Sequence, residues 1–246
     1  MKLPMKQISF LTLALAILCV FSSARPVEKE KKLNVETPDM ERIRSEVTNP
    51  ASDFFYPKLM KKYENPDTNA MTAEDYRYLY LGAVFQEDYD PYRHSDYSER
   101  IDDFYFKDSH SRSELDSIIT YAELSLADTP FDLEQMNYLI YALRGRGKTN
   151  RANIWQYRLN HILQAIASTG TGVDKEHAWF VIHPRHEYNF VNFQNRIVDS
   201  QEYMPPYYDY IRLKRDSKQG DKAPDGYYFN IRNLLEEYYR KHPEQR

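Results

Sequence analysis

Two histidines and an acid stand together in His183-Pro184-Arg185-His186-Glu187, with His177 nearby in the sequence. Imidazole and carboxylate groups are ligands that zinc accepts, and such groups also serve as general acids and bases. The helical His-Glu-x-x-His order of zinc hydrolases is absent, and Pro184 favours a turn between a strand and a helix. We therefore predict no metal site, keep His183 and His186 as weak metal candidates, and expect His183 to bond the backbone of this turn.

Acidic residues recur in Glu87-Asp88-Tyr89-Asp90 and again in Asp102-Asp103. Calcium loops combine regularly spaced oxygen ligands with a turn glycine, and this region has no glycine. Paired acids beside aromatic residues also suit glycoside cleavage, but their separation in space decides that chemistry. A solvated acidic face is the favoured interpretation, and we predict no catalytic residue.

The segment Ala142-Leu143-Arg144-Gly145-Arg146-Gly147-Lys148-Thr149 fits the loose form of a phosphate-binding loop. A true loop follows a buried strand and precedes a helix, so that backbone N–H groups surround the phosphates. Here the preceding residues keep a helical period, so we predict the turn of a helical hairpin. Thr169-Gly170-Thr171-Gly172 lacks a third glycine and is interpreted as a helix stop. No cofactor is expected.

Residues 1–24 have the pattern of a cleavable secretory signal: Lys2 and Lys6, then an apolar run, then Ser22-Ser23-Ala24. Bulky Ile17 and Leu18 precede Cys19, the only cysteine, where a lipoprotein signal needs small residues. We therefore expect an exported protein, periplasmic or secreted, that is not anchored through Cys19. No later stretch is long and apolar enough to span a membrane.

Cleavage after Ala24 removes two of the 33 basic residues and leaves 222 residues with 37 acidic ones, a formal charge of −6. Both signs of charge are interspersed, so no nucleic-acid partner is implied. The 22 tyrosines serve packing, interfaces and sugar-stacking surfaces equally well.

The spacing of apolar residues predicts the helices and strands that position these candidate residues. A flexible leader is expected over 25–36, helices over 37–168, and a small C-terminal module over 169–246. Helix starts are predicted at Thr37-Pro38-Asp39, Thr72, Ser113 with Asp116, Asp132, and Asn233 with Glu236. Strands are predicted at 178–182, 207–214 and 227–231, the last two joined by a hairpin loop at 218–226. The fold class is α+β: N-terminal antiparallel helical hairpins followed by a small antiparallel sheet with flanking helices.

The stretch Met136–Leu163 resembles a tetratricopeptide repeat in the placing of Leu139-Ile140, Leu143, Gly147 and Ala152. Ile140 and Leu143 depart from the usual small and tyrosine residues, and only one full repeat is convincing. If the resemblance holds, its first helix directs Asn137, Tyr138, Tyr141 and Arg144 toward a concave binding face. The alternative is that the C-terminal module covers this face and the four residues simply pack.

A larger resemblance covers the C-terminal half to two-thirds of the chain. After the hairpin come Ser168-Thr169-Gly170-Thr171-Gly172, then Ala178-Trp179-Phe180-Val181-Ile182-His183 with Glu187-Tyr188, then Tyr227-Tyr228-Phe229-Asn230-Ile231. This order resembles a family of exported Bacteroidota proteins catalogued as domain of unknown function 4919. The resemblance implies a Gram-negative exported protein and transfers no catalytic residue.

Taken together, these patterns favour a non-enzymatic protein of the cell envelope that binds a protein or peptide partner or acts as a scaffold. The alternative is a hydrolase of envelope or dietary glycans or peptides, using acids from residues 87–103 or the pair His183 and His186. A purely structural envelope component is a third possibility.

Overall fold

A computed structural model of the chain describes residues 34–105, 107–215 and 224–245. The predicted signal peptide, with Cys19, lies outside the described residues, as do most of the leader and most of the predicted hairpin loop. Within the described ranges, no helix combines the length and the apolar character needed to cross a bilayer.

Helices account for most of the described chain, and seven of its nine described α-helices precede the first strand. The α-helices are α1 (Met40–Val47), α2 (Tyr56–Glu64), α3 (Ala73–Gly82), α4 (Asp96–Tyr105), α5 (Arg112–Asp128), α6 (Leu133–Gly145), α7 (Thr149–Ala167), α8 (Arg185–Phe193) and α9 (Arg232–Lys241). Short 3-10 helices occur at Thr68–Ala70, Ala83–Phe85 and Pro243–Gln245.

Two predicted helix starts are confirmed by their capping hydrogen bonds. The Thr72 side chain accepts the backbone N–H of Asp75, and the Asp75 carboxylate accepts the backbone N–H of Thr72. Both hydrogen bonds of a capping box are therefore present. Asp132 accepts from the N–H groups of Glu134 and Gln135 at the start of α6. Both signals work because the cap and its partner are close in the chain.

Three other predicted starts are wrong in detail. Asp39, not Thr37, caps α1. The capping box of α5 is formed by Ser111 and Glu114 rather than by Ser113 and Asp116. Helix α9 begins earlier than predicted, after Ile231, which makes no side-chain cap. Serine and acidic residues are frequent near these ends, so the pattern alone does not select one register.

The strands form a four-stranded sheet in the order β1-β4-β3-β2. Their bounds are β1 Trp179–Phe180, β2 Val198–Met204, β3 Tyr208–Leu213 and β4 Gly226–Asn230. The α+β class is confirmed, but the sheet is mixed rather than wholly antiparallel, because β1 pairs with β4 in parallel. After β1 the chain forms α8 and then β2, which lies at the opposite edge of the sheet. Strands β3 and β4 follow as antiparallel neighbours, so β4 comes to lie beside β1.

One cluster of buried apolar side chains extends from the helices into the sheet. Trp179 of β1 contacts Phe190 of α8 and Phe229 of β4, with ring centroids 4.7 and 5.6 Å apart. The guanidinium of Arg77 donates to the carbonyls of Ser168 and Glu36, at 2.8 and 2.9 Å. The predicted domain boundary between residues 168 and 169 stays a prediction. It lies next to the end of α7, but one cluster of buried apolar residues includes side chains from both sides of it.

Candidate functional site

His183 lies in the turn that joins β1 to α8, as the sequence predicts. Its Nδ1 accepts the backbone N–H of Arg185 at 3.0 Å, and the ring also hydrogen-bonds to the backbone of Arg93. Burial, with the nearby charge of Arg185, lowers the pKa of His183 to about 4. The ring is therefore neutral at pH 7 and serves as a cap of the turn.

His186 is buried on the first turn of α8, 4 % exposed. Its Nδ1 lies 2.7 Å from the hydroxyl of Tyr80, and the ring also hydrogen-bonds to the backbone of Phe131. Burial lowers the pKa of His186 well below its ordinary value. A neutral imidazole has one donor and one acceptor, so we assign the acceptor to Nδ1 and the donor to Nε2, toward Phe131.

The two rings are close, with centroids 5.4 Å apart, but each is already engaged by two hydrogen-bond partners. A metal ligand needs a free nitrogen lone pair, and a catalytic base needs one that faces a substrate. Across the described ranges, no group of three or more His, Cys, Asp or Glu side chains is placed to hold a metal ion. The geometry therefore favours a structural role for His183 and His186.

A cleft of about 240 Å³ opens beside this turn. It lies where the loop after α3, the turn between α5 and α6, and the start of α8 meet the side of α2. Its lining comprises Tyr56, Met60, Ala83, Gln86, Asp88, Tyr89, Asp90, Arg93, Ala127, Asp128, Thr129, Pro130, Phe131, Asp132, Ile182, His183, Arg185, His186 and Asn189.

The acidic candidates are only partly brought together. Asp88 and Asp90 both line the cleft, whereas Glu87 does not. Glu87 and Asp88 are both exposed. Asp102 and Asp103 are exposed on α4, and the charge of Asp102 acts on Tyr138 of α6 instead. Glycoside cleavage needs two carboxyl groups that flank one bond, one as acid and one as nucleophile or base. Of these acids, only Asp88 and Asp90 share the cleft, and Oδ1 of Asp90 already accepts the backbone N–H of Tyr92 at 2.8 Å.

Three of the four predicted binding residues are exposed on one face of α6. Asn137, Tyr141 and Arg144 follow each other at helical spacing, and Tyr141 is 43 % exposed. The Tyr141 hydroxyl lies 2.8 Å from Nδ1 of His110, and Arg144 donates to Oε1 of Gln156 on α7 at 3.1 Å. These contacts limit the rotamers of Tyr141 and Arg144 without covering them.

Tyr138, the fourth predicted residue, is half-buried. Burial, together with the charges of Glu134 and Asp102, raises the pKa of its hydroxyl above the ordinary value. Tyr138 therefore packs against the helix surface next to α4 and contributes at most part of its ring to the exposed face.

The loose phosphate-loop match is a turn between two helices, as predicted. Helix α6 ends at Gly145, Gly147 has a φ of 72°, and Lys148 donates its N–H to the carbonyl of Leu143 at 2.8 Å before α7 begins. A helix precedes the motif where a phosphate loop requires a buried strand. Helices α6 and α7 form a packed hairpin, while its likeness to a tetratricopeptide repeat stays a prediction.

Sequence reasoning missed a second buried polar group, on the other side of α8. Glu187 of α8 and Asp209 of β3 are both buried, and the side-chain amide of Gln201 on β2 donates to both carboxylates. Glu187 lies in a segment that the sequence analysis singled out, but nothing near it in the chain points to Asp209. Asp209 reaches Glu187 only through the sheet, which places β3 opposite α8.

The fold and these sites define an α+β protein that joins helical hairpins to a mixed sheet. It carries a cleft with apolar and polar lining residues and an exposed tyrosine–arginine face. The chain belongs to the family described as "Domain of unknown function (DUF4919)", which matches residues 41–240. No curated protein and no solved structure matches the chain.

Proposed function

We propose that this chain is an exported, non-enzymatic protein of a Gram-negative envelope, in keeping with the Bacteroidota resemblance, that binds a protein or peptide segment through α6. The observation that carries the proposal is the row of exposed polar and aromatic side chains along one face of α6, namely Asn137, Tyr141 and Arg144. The apolar run and small-residue exit of residues 1–24 support export.

The chemistry of this row suits an extended polypeptide. Tyrosine and arginine are the residues that most often dominate protein interfaces, because they bury a large area and still make polar contacts. Arg144 is able to fork onto a partner carboxylate, and the amide of Asn137 is able to pair with a peptide backbone. The contact between His110 and Tyr141 reduces the side-chain entropy that binding would cost.

The hydrolase alternative receives less support from the geometry. Both histidines named for it have two hydrogen-bond partners each, and the acidic candidates are divided between the cleft and α4.

The proposal is tested with an affinity-tagged mature chain and an envelope extract of the source organism. A protein captured by the wild type is purified, and its dissociation constant is measured by calorimetry for the wild type and for the double variant Tyr141→Ala/Arg144→Ala. We expect the double variant to bind at least about tenfold more weakly, since two interface anchors are lost.

Tyr203→Ala is the matched control, because Tyr203 is 52 % exposed but lies on β2, away from α6. It should bind as the wild type does. Capture of no protein, or equal affinity for the double variant and the wild type, would contradict the proposal.

A further inference from the structure

The cleft beside the His183 turn shares no lining residue with the exposed face of α6, so what it binds is a separate question. Its volume of about 240 Å³ has room for one small ring or side chain and not for a folded partner. Part of its wall is apolar, formed by Met60, Ala83, Pro130, Phe131 and Ile182.

Several polar groups in the lining make no side-chain hydrogen bond to any described residue. They are the hydroxyl of Tyr56, the carboxylate of Asp88, the amide of Asn189 and the guanidinium groups of Arg93 and Arg185. Other polar groups of the cleft are engaged: Asp128 accepts from Ser95 at 2.6 Å, and Tyr89 donates to the carbonyl of Ile182 at 2.6 Å. The free set therefore contains both donors and acceptors.

Among the described residues, the cleft contains unpaired charges of both signs, and each lies near groups of the opposite or the same sign. The positive charge of Arg185 acts on Asp132 and Glu134, and the negative charge of Asp88 acts on the hydroxyl of Tyr56 and on Lys241. A simple anion would meet the carboxylates, and a simple cation would meet the guanidinium groups. The site suits a neutral ligand that both donates and accepts hydrogen bonds.

We propose that this cleft is a carbohydrate site that takes a single neutral sugar ring. A sugar ring has C–H groups that pack on an apolar or aromatic wall and hydroxyl groups at its rim that donate and accept. The wall of Met60 and Phe131 meets the first requirement, and the free groups of Tyr56, Asp88 and Asn189 meet the second. His183 and His186 support the wall and make no bond to the ligand.

Saturation-transfer NMR tests the site with four separate probes: D-glucose, D-galactose, D-mannose and N-acetyl-D-glucosamine. L-Glutamate and L-lysine are charged comparators of similar size. We expect at least one of the four sugars to bind with a dissociation constant of about a millimolar or less, and neither amino acid to displace it.

Tyr56→Phe keeps the ring and removes only the hydroxyl, so it should weaken sugar binding by about five- to tenfold without unfolding the protein. Asn189→Ala should weaken it to a similar extent. Tyr141→Ala/Arg144→Ala is the matched control and should leave sugar binding unchanged, which separates this proposal from the one for α6.

Three results would overturn the proposal. One is no transfer from any of the four sugars at about 20 mM, far above a millimolar dissociation constant. Another is sugar binding that both Tyr56→Phe and Asn189→Ala leave unchanged. The third is tighter binding of L-glutamate or L-lysine than of every sugar, which would assign the cleft to a charged ligand.

Discussion

The carboxylates of Glu187 and Asp209 share one donor, since Nε2 of Gln201 lies 3.3 Å from Oε2 of Glu187 and 2.8 Å from Oδ2 of Asp209. Burial, and then the charge of Asp209, raise the pKa of Glu187 well above its ordinary value. Burial also raises the pKa of Asp209, while hydrogen bonds from Glu187 and Gln201 oppose that rise. We infer that the pair holds one proton, on Glu187, while Asp209 stays charged.

This pair predicts how stability depends on pH. The folded chain retains a proton on Glu187 that the unfolded chain releases above the ordinary pKa of 4.5. The contribution of Glu187 to the free energy of unfolding is therefore complete below that pH and is lost as pH rises through the raised pKa of the folded state. Each unit of that rise corresponds to about 1.4 kcal/mol.

Glu187→Gln keeps the shape and a donor but cannot ionise. Urea unfolding at several pH values should show a smaller loss of stability for this variant than for the wild type between mildly acidic and alkaline pH. Glu202→Gln changes an exposed glutamate on β2 and should follow the wild type. Parallel pH curves for Glu187→Gln and the wild type would show that Glu187 does not hold the proton.

The hydroxyl of Tyr80 joins α3 to the start of α8. It contacts Nδ1 of His186 at 2.7 Å and accepts the N–H of Ile182 at 3.4 Å. Tyr80→Phe leaves both buried groups without this partner and should lower the free energy of unfolding by about 1–3 kcal/mol. In Tyr141→Phe the lost hydroxyl is exposed, so the change should stay within about 0.5 kcal/mol. Equal denaturation midpoints for the two variants would contradict this role of Tyr80.

Two glycines with nearly the same φ, Gly147 and Gly172, allow the cost of backbone strain to be compared with the cost of steric crowding when alanine replaces them. Gly147 has φ 72° and open space around its Cβ position, whereas a Cβ on Gly172, φ 70°, would lie 2.7 Å from Cε3 of Trp179. Gly147→Ala should cost about 1–2 kcal/mol from the left-handed conformation alone. Gly172→Ala should cost clearly more, measured by chemical denaturation. Equal costs would show that the Trp179 ring moves aside freely.

The contacts of Arg77 predict that lysine at this position stabilises the fold less than arginine does. It is buried, and its guanidinium reaches Oγ of Ser168 at 2.6 Å in addition to the carbonyls of Ser168 and Glu36. Lysine keeps the charge but lacks the planar fork, so Arg77→Lys should lower the free energy of unfolding by about 1–3 kcal/mol. Arg212→Lys, at an exposed position on β3, serves as the control and should be nearly neutral.

The parts of the fold that were predicted correctly depend on neighbours in the chain. The capping box at Thr72 and the cap at Asp132 both act within one helical turn. The turn between α6 and α7 depends on Gly147, because glycine tolerates a positive φ. The capping role of His183 was also predicted, because its backbone partner Arg185 is two residues away.

The three misplaced helix starts are local errors of two residues each, whereas the omissions concern segments without a clear pattern and partners far apart in the chain. Helix α4 and strand β2 were not predicted, because α4 lies in an acidic, aromatic stretch without clear apolar spacing and β2 is almost wholly exposed. The parallel pairing of β1 with β4 has no local signal, since the two strands are joined only through α8, β2 and β3.

The sequence by itself determined the α+β class, the caps at Thr72 and Asp132 and the turn at Gly147. It placed Asn137, Tyr141 and Arg144 at helical spacing on α6 without deciding whether they are exposed or packed. Only the tertiary structure decided what the polar candidates do. Tyr80 lies 106 residues from His186 in the chain, and Asp209 reaches Glu187 through the sheet. Local sequence governs backbone conformation over a few residues, whereas burial and pairing depend on the packing of distant segments, and these set the protonation and hydrogen bonds of each group.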